Sequence, residues 1–373
     1  MSFFKPLFFT IALISTISFT VQAKINVVAS VKPVHSLVSG VMDGVGKPAL
    51  IVKGSASPHT YSLKPSQAQQ IEEADLVFWM GHELESFLEK PLEAIATKAK
   101  VVELIDSDEL KKLDMREGGA FDDHGHDEHG HDEHGKDEHD DDHKDHDKHS
   151  DEKHDDHDEH ASKDHDEDGH KDHDEHSKDK HDEHDDESHD DESHDEHHHG
   201  EFDVHVWLDP ENAKVLVQEI KEALIEIDPG NAGKYEANTK NLIVKLDQLV
   251  SEISATLESS KGKGYIVFHD AYQYFEERFG MRAVGSITVS PEVVPGASRI
   301  RELKDKIVEL DAHCVFSEPQ FQPKIVFTVA EGTKANTGVL DPLGASIADG
   351  PELYFTLIRD MANSLQECLS KRG

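Results

Sequence analysis

Residues 265–280 read YIVFHDAYQYFEERFG. Tyr265 to Phe268 form a short apolar run of β-branched and aromatic residues, which suits a buried strand. His269 and Asp270 break that run, and the apolar residues after them fall at helical spacing. The stretch is therefore one strand-to-helix unit with a histidine at the hand-over. A strand that is apolar on both faces belongs to a parallel sheet covered by helices. The same alternation recurs downstream. AVGSITV (283–289), the helical SRIRELKDKIVELD (298–311), HCVFSEP (313–319), IVFTVAEGTK (325–334), GVLDPLG (338–344) and a last helix LYFTLIRDMANSLQECL (353–369) follow in turn. Upstream, INVVASV (25–31), ALIVKG (49–54), LVFWM (76–80) and KVVEL (100–104) alternate with helical segments, and FDVHVWLDP (202–210) again reads as a strand. Ser66 and Ser298 stand where helix N-caps are expected.

Between the two strand-rich regions lie two helices, 211–227 and 228–259. The second carries Leu242, Leu246, Leu249, Ile253 and Leu257 on one stripe. At 1.5 Å per residue it is on the order of 45 Å long, enough to cross a lobe or tie two together. The fold class is α/β, with two similar parallel-sheet lobes: an N-terminal lobe over 24–227, the long helix over 228–259 and a C-terminal lobe over 260–373. Lys5, the apolar run Pro6–Thr20 and the small residue at Ala23 have the form of a secretory signal peptide over 1–23, cleaved after Ala23, so a soluble exported protein is expected.

The formal net charge is −40, and its location decides its meaning. Asp122 to His199 hold 37 Asp and Glu, 8 Lys and 23 of the 29 His, leaving the rest of the chain at −11. Such a segment has almost no apolar surface to bury against its ordering entropy, so 118–200 reads as a disordered insertion in the first lobe. Its repeated His-Asp-Glu units offer many metal ligands without a rigid frame, which makes it a weak, multivalent gatherer of divalent cations. A basic patch for nucleic acid is not visible, and a monomer is expected. Cys314 and Cys368, 54 residues apart, exclude a CxxC motif. In an exported chain they form either a disulfide that staples the last helix to its domain or two buried free thiols.

Six histidines lie outside the insertion. His59 (SASPHTYSL), His205 (DVHVWLDP) and His269 (VFHDAY) each stand where a strand meets a loop. Ligands of open α/β sheets bind at the carboxyl ends of strands. Three neutral imidazoles converging from two lobes suit Zn2+. Asp341, in GVLDPLG, is a fourth residue at a strand end, open to three readings: ligand, hydrogen-bond partner of a ligating imidazole, or turn cap. His35, His82 and His313 read as structural or surface residues. No HExxH motif is present, which leaves a secreted zinc hydrolase without support.

These stretches, together with PHTYSLKPSQ, ADLVFWMG, PEVVPGASR, CVFSEPQF and LDPLGA, resemble the solute-binding proteins that serve metal-ion ABC transporters, and among them the periplasmic zinc-binding branch. The resemblance covers essentially the whole chain. It implies a place in the periplasm, two lobes joined by one long helix, zinc captured in the cleft between them by His59, His205 and His269, a disulfide between Cys314 and Cys368, an inner-membrane ABC permease as partner, and no catalysis. The manganese branch tends to place a carboxylate where His269 stands, and softer imidazole favours zinc. Some zinc-branch members have Glu immediately before the first histidine. Here that residue is Pro58, so the fourth coordination position falls to water, Asp341 or a histidine of the insertion, with water favoured.

Overall fold

The computed structural model describes residues 24–116, 121, 202–288 and 295–371. The signal-peptide reading of 1–23, the insertion 118–200 except Phe121, and residues 289–294, which include the first four residues of the PEVVPGASR stretch, lie outside the described residues. By contact, the described residues before and after the insertion belong to one compact unit.

Two parallel sheets form the frame. The first contains β1 (Val27–Ala29), β2 (Ala49–Leu50), β3 (Leu76–Trp79) and β4 (Lys100–Glu103), in the order β2-β1-β3-β4. The second contains β5 (Tyr265–His269), β6 (Ala283–Thr288), β7 (Cys314–Ser317) and β8 (Asn336–Val339), in the order β6-β5-β7-β8. Both sheets thus have the same strand order. Their central strands, β1, β3, β5 and β7, are buried along their whole length, which is why they read as unbroken apolar runs. Parallel neighbours need crossovers. Helices α1 (Lys32–Val41), α2 (Pro65–Glu72) and α3 (Ser86–Ile95) serve the first sheet. Between the sheets run α4 (Pro210–Ile227) and α5 (Ala232–Leu257). Helices α6 (Gln273–Phe279), α7 (Ala297–Glu309) and α8 (Lys324–Ala330) serve the second sheet, and α9 (Leu353–Ser370) closes the chain.

Helix α5 has 26 residues, about 39 Å at 1.5 Å each. Leu242, Leu246, Leu249, Ile253 and Leu257 are all buried on it, as the stripe predicts. Each such side chain contributes roughly 1.5–3 kcal/mol by leaving water. The stripe packs against α4 and α9. Helix α9 also returns to α1 of the first lobe, where the Tyr354 amide donates to Ser36 Oγ at 2.9 Å and Lys32 Nζ donates to the Ile347 carbonyl at 2.8 Å. One apolar cluster consequently runs from Val27 to Leu369 through both lobes. Cys314, at the start of β7, is bonded to Cys368 on α9, with Cα atoms 6.2 Å apart.

Three local readings of the sequence are corrected. FDVHVWLDP is not a strand. Phe202 makes an isolated antiparallel bridge with Asp114, and Val206–Leu208 form a 3-10 turn. The segment is apolar because it is buried, but among the described residues its backbone makes no ladder with a neighbouring strand beyond that bridge: Asp203 accepts from the His205 amide and Asp209 from the Glu211 amide at the start of α4. Ser66 lies inside α2, which begins one residue earlier at Pro65, whose fixed φ suits the first helical position; Gln67 closes the end by accepting from the Lys64 amide. Ser298 lies in the first turn of α7, after an extended Gly296.

Candidate metal centre

Three chain segments deliver the three histidines. His269 is the last residue of β5. His59 sits in the 3-10 turn Pro58–Thr60, downstream of β2. His205 immediately precedes the 3-10 turn that leads into α4. Their ring centroids lie 5.6 Å (His59–His205), 5.8 Å (His59–His269) and 5.3 Å (His205–His269) apart. One nitrogen from each ring falls within 4.8 Å of the others. Ligand nitrogens at ~2.05 Å from a tetrahedral ion are ~3.3 Å apart, so small side-chain rotations complete the set.

Carboxylates hold two of the rings. His205 Nδ1–H donates to Asp203 Oδ1 at 2.7 Å, and His269 Nδ1–H donates to Glu318 Oε1 at 2.7 Å. A carboxylate on Nδ1 fixes the tautomer and turns a lone pair on Nε2 outward, the usual second partner of a metal-ligating imidazole. His269 Nε2 is fully buried with no hydrogen-bond partner, a costly condition for a polar atom unless a ligand completes it. Burial and the neighbouring His205 and His269 hold His59 down to about 2, so this ring stays neutral. Burial would lower His269 as well, but the Glu318 carboxylate more than offsets it and the net shift is upward. A cation beside Glu318 is thus favoured at that ring, be it a proton or a metal.

The surroundings are apolar and tight. Leu84, Trp207, Phe321, Pro342 and Leu343 line the space around the imidazoles, and the cavity is about 10 Å³, room for one water-sized sphere. A single ion fits between the three imidazoles. The frame is cross-braced: Trp207 Nε1 donates to the Pro342 carbonyl at 2.9 Å, and Tyr274 Oη donates to the Asp203 carbonyl at 2.7 Å. Arg116, at the root of the insertion, bonds Asp270 beside His269 and also Glu276 on α6. That buried pair of contacts ties the first lobe to the second next to the histidines.

Asp341 is not part of this cluster. Its Oδ1 accepts from Gln320 Nε2 and from the amides of Leu343 and Gly344, and its Oδ2 accepts from the amide of Ala345 at 2.6 Å. It caps the turn that presents Pro342 and Leu343 to the cavity, the third of its three readings. His35 is buried, with Nε2 3.1 Å from the Pro48 carbonyl, a structural role. Asp203 and Glu318 were not singled out in the sequence. Asp203 stands two residues before His205, a spacing that permits a local side-chain bond. Glu318 has no such local cue, because it meets His269 only through the pairing of β5 with β7.

Comparison with known proteins identifies the family. A family model described as zinc-uptake complex component A, periplasmic (ZnuA) matches residues 27–368. The chain belongs to this family. The high-affinity zinc uptake system protein ZnuA of Brucella suis biovar 1 is 54% identical over 346 residues, covering 93% of this chain and 92% of that one. Its counterpart in Haemophilus influenzae is 38% identical, covering 95% and 96%. Among solved structures, a crystal structure of ZnuA superposes with a TM-score of 0.64 at 19% identity, covering 93% of this chain and all of the other, which supports the fold. A zinc-bound ZnuA lacking residues 138–173 of its own chain superposes equally well, at 19% identity and covering 94% of this chain. The family is made of periplasmic zinc-binding components of ABC uptake systems, not enzymes, and membership implies export and a permease partner.

Proposed function

We propose that the protein takes up one Zn2+ as cargo between its lobes, 24–227 and 260–373, on the imidazoles of His59, His205 and His269, and hands it to an inner-membrane permease. The observation that carries this reading is the convergence of three imidazoles on one small cavity, two of them turned by buried carboxylates. Asp203 and Glu318 orient His205 and His269. Water takes the fourth position, because Asp341 is committed to its turn and Pro58 offers no donor. Softer nitrogen ligands select zinc over manganese and magnesium. The apolar core shared by the lobes through α5 and α9 disfavours a wide hinge, so release proceeds by a local shift of the loops that carry the histidines. The insertion 118–200 gathers zinc weakly, its charge raising the local concentration of divalent cations. The working protein is a monomer that binds no nucleic acid, exported by a signal peptide cleaved after Ala23.

The test is a chelator competition titration on three mature proteins: wild type, His269→Ala and a deletion of 122–199. One tight site that survives the deletion and is lost in His269→Ala supports the assignment. The opposite pattern would transfer function to the insertion.

A further inference from the structure

A second set of ligand-bearing side chains lies apart from the three histidines. His82 and Glu83 are on the loop that leaves β3, and Glu103 ends the neighbouring strand β4. One ligand atom from each lies within 4.8 Å of the others. His82 Nε2 is 3.2 Å from Glu83 Oε1, and His82 Nδ1 is 3.9 Å from Glu103 Oε1. The His82 amide donates to the same Glu103 oxygen at 3.4 Å. The three side chains are 29%, 24% and 27% exposed, enough for an ion to enter from solvent with part of its water shell.

We propose that His82, Glu83 and Glu103 form a second, weaker site for a divalent first-row cation. One imidazole and two carboxylates, with the remaining position left to water, is a donor set that zinc accepts. The chain makes room for the carboxylates at one point. Gly81 has φ +150°, and a Cβ there would stand 2.8 Å from Glu103 Oε1 and 3.4 Å from Glu83 Oε2. A side chain at 81 would also meet Ile105 at 2.8 Å, so glycine leaves the space over this backbone to the two carboxylates. The acid groups also crowd: burial, then the nearby Asp106, raise the Glu103 carboxyl, with Glu83 adding to the rise. A bound cation relieves that repulsion. Leu84, the next residue but one after His82, walls the three-histidine cavity, so an ion here would brace the loop that carries this wall. The assignment does not depend on the cleft site. It differs from the sequence reading of His82 as a surface residue, because Glu103 comes beside it only through the pairing of β3 with β4.

Histidine-specific labelling with diethyl pyrocarbonate, read residue by residue by mass spectrometry on the full mature chain, tests it with Zn2+ alone as the probe. Zinc is expected to slow labelling of His82, with a midpoint at higher free zinc than for the cleft histidines. That protection should persist in His269→Ala, and its midpoint should rise about tenfold or more in Glu103→Gln. Glu83→Gln replaces Glu103→Gln if the latter fails to show a native circular dichroism spectrum. The proposal is overturned if zinc leaves His82 labelling unchanged, if protection vanishes in His269→Ala, or if removing a carboxylate leaves the midpoint in place. Failure of the cleft assignment would show separately, as unprotected His59 and His205.

Discussion

The two ligand clusters use different means of placing donors. In the cleft, three like donors come from three distant segments; two are held from behind, His205 by Asp203 and His269 by Glu318, while burial and the other two rings keep His59 neutral. In the loop cluster, unlike donors come from adjacent strands and the carboxylates that would orient the imidazole are themselves the ligands. In the cleft His205 and His269 are buried and His59 is partly buried; the loop cluster is about a quarter exposed. Donors fixed before binding lose little entropy on binding, and a dry site strengthens each charge interaction. The comparison teaches that a donor can be placed either by a residue behind it, as for His205 and His269, or by its neighbours in the cluster itself.

The sharpest way to break the comparison is to remove a cleft ligand. His269→Ala is expected to weaken tight zinc binding more than about 100-fold, beyond the 10–100-fold typical of losing an outer partner, and chelator competition would measure it. An unchanged tight site would sink the cleft assignment. Next in size is Glu318→Gln, which keeps the shape but loses the charge behind His269. Zinc affinity should fall about 10–100-fold in isothermal titration, while circular dichroism stays native. An affinity equal to wild type would mean that the ring needs no support.

Acid should act on the cleft through His269. Its folded value lies above the ordinary 6.5, so its proton is held more tightly in the apo protein than in the unfolded chain. For the apo protein that contributes stability fully present below the unfolded value and lost as pH rises through the folded value. Zinc must displace this proton. Affinity is therefore expected to fall as pH drops through the raised value of His269, by up to about tenfold per pH unit for one competing proton. His59, held near 2, adds nothing to this range. Zinc titrations between pH 8 and 5.5 would check it, and a flat profile would contradict the proposed role of His269. The smallest effect separates the clusters in the other direction. Gly81→Ala should cost at least about 1 kcal/mol of stability in denaturant unfolding, because alanine meets both the positive φ and Glu103, yet leave tight zinc binding within about twofold. A loss of the tight site would show that the loop and the cleft are not separable.

Much of the fold was legible because burial writes itself into composition. LVFWM and YIVFH are apolar on every face only because a parallel sheet is covered on both sides. The α5 leucine stripe is legible for the same reason. FDVHVWLDP misled because a buried 3-10 turn is as apolar as a strand, and what separates them is where the hydrogen bonds go. Asp341 was ambiguous because a strand-end carboxylate serves a metal and a turn equally well until its neighbours are known.

By itself, the sequence determined the alternation of strands and helices, the three histidines at loop junctions and the segregation of charge into 118–200. These follow from local pattern and composition, which need no knowledge of partners. Only the tertiary structure decided which carboxylates stand behind the histidines, that α9 returns to α1, and that His82 meets Glu103. Glu318 reaches His269 from 49 residues away, and His82 reaches Glu103 from 21 residues away, each across a strand pair. Such contacts are set by sheet order, and sheet order emerges from the packing of the whole chain rather than from any stretch of it.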